Sequence, residues 1–273
     1  MGRELVARLL ADGTHDVKVW NRTPDKAAPC VALGAVLAPS VDEAVSGAEL
    51  MITCLFGPQA VRDVVLDADL PWAPSAIWMD ITTVGPAVAR ECAAWAGERG
   101  VAYVQAPVLG SLGPARAGQL GVLIGGDDAA ARAVVRSVVS LWADADRVVE
   151  YEEAGQAAVG KLLVNYGLAV GMQGLIEACR IGEAGGLTPA QAVALAQLPR
   201  TPLSVIAGMK GAALLGGDYT DTQFSTNLLA KDVDLMLATV APLPALQAAD
   251  VTLKAAVAKG HGEDDFAAMV DAA

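Results

Sequence analysis

The segment Asp16-Val17-Lys18-Val19-Trp20-Asn21-Arg22-Thr23-Pro24 decides the fold. Its apolar-rich first half reads as a short strand over residues 16–20. A polar turn follows, and Thr23 then Pro24 are the cap and first-turn residues of a helix predicted over 24–33. The same unit recurs outward from it. Upstream, Leu5, Leu9 and Leu10 fall at helical spacing over residues 3–11, with Gly13 as the stop. Downstream, strands are predicted at 36–37, 50–55, 76–80, 103–106, 120–124 and 146–149. Helices are predicted between them at 41–46 (capped by Ser40), 59–65, 86–99 and 127–141. Strands alternating with helices predict a doubly wound, Rossmann-type parallel sheet with helices on both faces.

The pattern changes near Tyr151. One helix is predicted without a break over 154–184, roughly 45 Å long at 1.5 Å per residue. Everything after it reads as helix: 188–198, 202–214, 227–240, 242–259 and 263–270. The sequence thus predicts a nucleotide-binding domain over residues 1–150 and an all-α domain over 151–273, joined by the long helix. Of the 273 residues, 54% are apolar and 18% charged, which excludes a disordered chain. With 19 Lys plus Arg against 31 Asp plus Glu, the net charge of −12 argues against nucleic-acid and anionic-membrane partners. Cys30, Cys54, Cys92 and Cys179 form no CxxC pair, and His15 and His261 are the only histidines, so no metal centre is expected. The apolar stretch 162–176 is interrupted by Asn165, Gln173 and glycines and reads as too short for a membrane span. The expectation is a cytoplasmic protein with reduced thiols.

A doubly wound domain opens with a strand, a GxGxxG turn and a helix whose N-terminus holds a pyrophosphate. Here Met1-Gly2 leads directly into the first helix, with Gly2 in the place of the last glycine. The reading is therefore of a natural chain beginning about ten residues upstream. The Asn21-Arg22-Thr23 turn carries no acidic residue to grip a ribose 2′-hydroxyl, and its arginine suits a 2′-phosphate, so NADP(H) is the expected cofactor. The same three residues also suit a solvated turn and helix cap.

Six motifs in order resemble the β-hydroxyacid dehydrogenases, in the branch of the glyoxylate/succinic-semialdehyde reductases and 3-hydroxyisobutyrate dehydrogenases, a superfamily that includes 6-phosphogluconate dehydrogenase. They are Val19-Trp20-Asn21-Arg22-Thr23, Asp80-Ile81-Thr82-Thr83-Val84-Gly85-Pro86, Ala106-Pro107-Val108-Leu109-Gly110-Ser111, Gly118-Gln119-Leu120 with Gly125-Gly126-Asp127, Lys161-Leu162-Leu163-Val164-Asn165, and Phe224 with Lys231-Asp232. The resemblance implies a homodimer built by the C-terminal helices. It assigns Gly2, Asn21, Arg22, Thr23, Leu55, Phe56, Thr83 and Lys231 to the cofactor. It assigns Leu109, Gly110, Ser111, Phe224 and Asp232 to a small-molecule substrate, and Lys161 and Asn165 to catalysis. Two departures stand out beside the incomplete glycine turn. Leu109 stands where much of the family has serine, and Cys54-Leu55-Phe56-Gly57 where Leu-Pro commonly follows the strand.

Hydride transfer to a carbonyl builds negative charge on oxygen, and a proton donor or cation must meet it. Lys161 meets that need, and Asn165 lies on the same helix face four residues on. By periodicity alone Lys161 is equally a surface lysine near a helix start; the ordered motifs favour the catalytic role. Gly160, Gly167, Gly171 and Gly174 predict a close approach to another helix or subunit. Two other functions fit parts of the pattern. An imine reductase shares the Asn-Arg-Thr turn and a segment like Gly260-His261-Gly262-Glu263-Asp264-Asp265. A truncated, non-catalytic paralogue acting by association fits the incomplete glycine turn.

Overall fold

The computed structural model describes residues 1–240 and 242–273. The elements in chain order are α1 (Gly2–Asp12), β1 (Lys18–Val19), α2 (Ala28–Ala32), β2 (Val36–Leu37), α3 (Val41–Val45), β3 (Leu50–Thr53), α4 (Pro58–Val61), β4 (Ile77–Asp80), α5 (Pro86–Gly97), β5 (Ala102–Gln105), β6 (Val108–Leu109), α6 (Leu112–Ala117), β7 (Leu120–Gly125), α7 (Ala129–Val139), β8 (Ala143–Tyr151), α8 (Ala154–Ala184), α9 (Pro189–Ala196), α10 (Ser204–Gly216), α11 (Thr226–Thr239) and α12 (Pro244–Ala256). They form two compact units, Met1–Lys161 and Leu162–Ala273.

The first unit is an α/β/α sandwich around a six-stranded sheet. Its path is β3-β4-β5-β7-β6, and β8 pairs with β7. β3, β4 and β5 run parallel, and β7 is antiparallel to β5 and β6 but parallel to β8. The expectation of a parallel sheet therefore holds for its majority, and β7 reverses. One face of the sheet, with Met79, Ile81, Val104 and Ile124, is covered by Leu5 and Leu9 of α1 and Val135 and Val139 of α7. The other, with Trp78 and Tyr103, is covered by Val61, Ala89, Cys92 and the first turns of α8.

The described strands fall into two sheets. β1 and β2 form a separate parallel pair, and no strand joins β1 to β3 among the described residues. The chain enters α1 directly at Gly2. α1 is held by Arg8, which donates to the Leu141 carbonyl at 2.8 Å, and by the Glu4–Arg116 pair at 3.1 Å. The predicted helix 24–33 is broken as well: a 3-10 turn, Pro24–Ala27, precedes the short α2, whose Pro29 has no amide to continue the ladder.

Local chemistry explains several element ends. Ser40 accepts from the Glu43 amide at the start of α3, and Asp128 from Ala130 and Ala131 at the start of α7. Thr188 and Gln191 form a reciprocal capping box on α9. Gly13 and Gly217, with φ of 73° and 64°, close α1 and α10.

The second unit is all helical in its regular structure. Its core joins Leu162, Met172, Leu175 and Ile176 of α8 to Val193, Ile206, Leu229, Leu246 and Leu253. By length and composition alone, the 31-residue α8 is also apolar enough to cross a membrane. The terminal segment Phe266–Asp271 is a 3-10 turn that buries Phe266 and Met269 in the same core. Asp265 anchors it, accepting from Lys210 Nζ at 2.8 Å and from the amides of Gln223, Phe224 and Ala267. Both Lys210 and Asp265 are buried, and the Lys210 ammonium lies 4.5 Å from the Phe266 ring centre. Removing one member of such a pair strands the other charge in the core. Asp265→Ala is expected to destabilise this unit by about 3–5 kcal/mol in urea unfolding, with partial recovery in the Lys210→Met, Asp265→Ala double variant.

Candidate active site

The first turns of α8 are set by close approach to β7. A Cβ on Gly125 of β7 would lie 2.8 Å from the Ala157 Cβ and 2.6 Å from the Glu153 carbonyl. A Cβ on Gly160 would lie 2.8 Å from Leu123 Cδ1. At Gly125 only hydrogen fits, because the Glu153 backbone and a Cβ of α8 stand against it; at Gly160 the end of the Leu123 side chain fills the space. Lys161 is the next residue. Its half-buried side chain turns to β6, where the ammonium donates to the Val108 carbonyl at 2.9 Å.

That carbonyl begins the predicted substrate segment. Val108 and Leu109 form β6, paired antiparallel with Val122 and Gly121 of β7. A Cβ on Gly121 would come within 3.1 Å of Leu109 Cβ, so this glycine makes room for the leucine. Gly110 turns the chain at φ 123°, where an added Cβ would also meet Leu120 at 3.0 Å. Ser111 begins α6 as its cap residue without making a side-chain capping bond. The expected loop is thus a two-residue strand, a glycine turn and a helix start.

The second unit holds another cluster of predicted residues. Asn165 and Asp232 are buried, and the Asn165 amide donates to Asp232 Oδ2 at 2.5 Å. Lys231 Nζ lies 2.6 Å from the other oxygen, Oδ1. Phe224 packs edge-on against Phe266 with ring centres 6.2 Å apart, so its ring is partly a core residue. Of the predicted glycine contacts, Gly171 and Gly174 face Ile206 and Leu203, whereas Gly167 faces open space.

The predicted cofactor residues lie at element ends in the first unit, except Lys231, which lies within α11 of the second unit. Gly2 opens α1 beside the end of β3, where a Cβ on it would meet Cys54 Cβ at 3.5 Å. The cap position of α1 makes no side-chain bond, which suits an anion at its first turn. The Asn21 carboxamide accepts from the Thr23 amide at 2.9 Å, shaping the turn that exposes Arg22. Leu55 and Phe56 follow β3, and Thr83 follows β4. Carboxyl ends of neighbouring parallel strands are where doubly wound sheets take ligands.

Beneath the last two turns lies a buried polar row that the sequence reading did not single out. Asp80, fully buried, accepts from the Thr53 hydroxyl at 2.7 Å and from the Thr82 amide at 2.9 Å. Burial pushes its carboxyl above the usual carboxylate range, against the opposing effect of these donors. The available signal was three strands, otherwise apolar at this end, each closing on a polar residue: Thr53, Asp80 and Gln105. Cys92 packs on this row, hydrogen-bonded to Tyr103. Cys92 is pushed up to about 12 by burial, which leaves it protonated and inert.

The chain and its fold match known proteins. Residues 1–150 match the family described as the NAD binding domain of 6-phosphogluconate dehydrogenase. Residues 155–273 match the NAD-binding family of NADP-dependent 3-hydroxyisobutyrate dehydrogenase. The chain is 30% identical to the NAD-dependent L-serine dehydrogenase of Pseudomonas aeruginosa, over 98% of this chain and 93% of that protein. It is 26% identical to the NADPH-dependent reductive aminase of Aspergillus oryzae, over 99% and 93%. The solved Mycobacterium tuberculosis 3-hydroxyisobutyrate dehydrogenase with L-serine superposes with a TM-score of 0.85 at 26% identity, covering 99% of this chain and 94% of that one.

Asn165→Ala leaves the buried Asp232 Oδ2 without its donor. The expected result is a loss of about 1–3 kcal/mol in urea unfolding.

Proposed function

The chain belongs to the NAD(P)-dependent dehydrogenase family that joins a 6-phosphogluconate-dehydrogenase-type NAD-binding domain to a 3-hydroxyisobutyrate-dehydrogenase-type domain, and from that premise we propose that it is an NADP(H)-dependent reductase of small aldehyde or keto acids, working reversibly on the matching hydroxyacids, with Lys161 as general acid and base. The observation that carries this reading is the Lys161 ammonium, held by the Val108 carbonyl next to Leu109, Gly110 and Ser111.

When bound, the nicotinamide supplies or accepts the hydride. Arg22 would hold a 2′-phosphate, the turn at Leu55 and Phe56 and Thr83 would hold the body of the cofactor, and Lys231 would serve its nicotinamide end. Lys161 gives its proton to the oxygen that gains charge as the carbonyl is reduced, and takes it back when the alcohol is oxidised. Its bond to Val108 keeps the donor from swinging away, so the ammonium needs little reorganisation when charge develops. Gly110 lets the substrate approach backbone, and Ser111 offers a hydroxyl to its head group. In the second unit, Asn165, held by Asp232, and Phe224 are the residues this reading assigns to the substrate.

Leu109 supports a second reading, reduction of a C=N bond. It removes a hydroxyl from the acid-binding loop, and the chain is similar to a reductive aminase. The free thiols, three of them buried, support a reducing, cytoplasmic compartment. Homodimerisation through the second unit is supported by an outward apolar surface on α8 and α10, with Ile181 and Val205 75% and 74% exposed. Sedimentation of the full chain at twice the monomer mass is the expected result, and a monomer at micromolar concentration refutes it.

NADPH and NADH oxidation with glyoxylate, succinic semialdehyde and a cyclic imine tests the activity. The expected result is turnover of an acid with NADPH preferred; turnover of the imine alone favours the second reading, and no NADPH binding favours the non-enzyme. Lys161→Ala is expected to lower kcat by about 10²–10⁴-fold while NADPH affinity stays near that of wild type. Wild-type turnover in that variant removes Lys161 from the mechanism.

A further inference from the structure

The three parallel strands β3, β4 and β5 end level, with Thr53 paired to Asp80 and Asp80 to Gln105. All three side chains point to one face and are buried. They form one connected row. Trp78 Nε1 donates to Thr53 Oγ1 at 2.9 Å, which frees the Thr53 hydroxyl hydrogen for Asp80. Tyr103 reaches Asp80 Oδ2 at 3.2 Å and also contacts Gln105 Oε1. Gln105 Nε2 donates to the Thr82 carbonyl at 2.8 Å. From Thr82 the row reaches the next turn: Thr82 Oγ1 accepts from the Leu55 amide at 3.0 Å.

A polar row in a dry interior is no more stabilising than apolar residues of equal volume. What it supplies is direction, because each hydrogen bond fixes an angle that packing leaves loose. The direction is applied to two segments, the Leu55–Phe56 turn after β3 and the Thr82–Thr83 turn after β4. Thr82 sits in both networks: its amide and carbonyl tie to Asp80 and Gln105, its hydroxyl to Leu55.

We propose that Thr82 and Asp80 are positioning residues for the cofactor, locking the Leu55–Phe56 turn onto the Thr82–Thr83 turn so that both present a fixed surface to the bound nicotinamide nucleotide. The inference rests on the reading that these turns hold NADP(H). It assigns neither residue a contact with the cofactor, and it assigns the row no proton transfer.

Thr82→Val keeps the side-chain volume and deletes the hydroxyl; Thr82→Ser keeps the hydroxyl. Cofactor affinity is measured by NADPH fluorescence titration of folded full-length chain, with steady-state constants and the melting temperature in parallel. Thr82→Val is expected to weaken NADPH binding by about tenfold, the effect of one buried hydrogen bond. The KM for NADPH rises with it, and kcat at saturating cofactor stays within about threefold of wild type. Thr82→Ser returns affinity to near wild type. Asp80→Asn, which turns one acceptor toward donors as an amide, is measured the same way and is expected to weaken NADPH at least as much. It also serves if Thr82→Val does not fold. Wild-type NADPH affinity in a folded Thr82→Val or Asp80→Asn chain, with only the melting temperature lowered, overturns the proposal alone. Failure of the wild-type chain to bind either NADPH or NADH overturns it together with the reading it rests on.

Discussion

The closeness of α8 to β7 governs the rest of the first unit. Two glycines, one on each element, remove the side chains that would hold helix and strand apart. Once they meet, the position and axial rotation of α8 at Lys161 are set by backbone. A lysine has four rotatable bonds and loses much entropy when fixed. Here the loss is limited because the stem leaves a rigid point and its head finds a carbonyl on the neighbouring β6. The ammonium's place is therefore a product of sheet geometry, not of a chance side-chain conformation.

The two units solve the problem of buried polarity differently. In the first, Asp80 is surrounded by neutral donors, and burial opposes its ionisation. In the second, Asp265 faces a lysine and three amides, so its charge is balanced where it sits. The first arrangement holds turns at the end of a sheet. The second holds the last segment of the chain against a helical core. Neither could lose one partner without leaving a costly group behind.

Much of this was legible in the sequence. The bounds of α8 follow from a run of helix formers free of proline. Ser40 and Thr188 announce their helices by cap chemistry alone. The motif order led to the family before any geometry was available. Other features carry no periodic signal. The reversal of β7 is invisible, since strand direction leaves no mark in an apolar run. β8 extends well beyond residues 146–149, over Ala143–Tyr151, because its pairing with β7 begins at Ala143 and runs to Tyr151. The buried row was hidden because threonine, aspartate and glutamine at strand ends also suit solvated turns. The pairing of β1 with β2 alone, apart from the main sheet, is seen only in coordinates.

The terminal segment at Phe266–Asp271 has a consequence for biosynthesis. Its apolar residues belong to the middle of the second unit's core, alongside α8, which is made more than eighty residues earlier. Until residue 269 has cleared the ribosome, that core stands open on one side. The first unit ends at Lys161, so its described residues are made before those of the second. The nascent chain therefore passes through an interval in which the apolar core of the second unit is exposed.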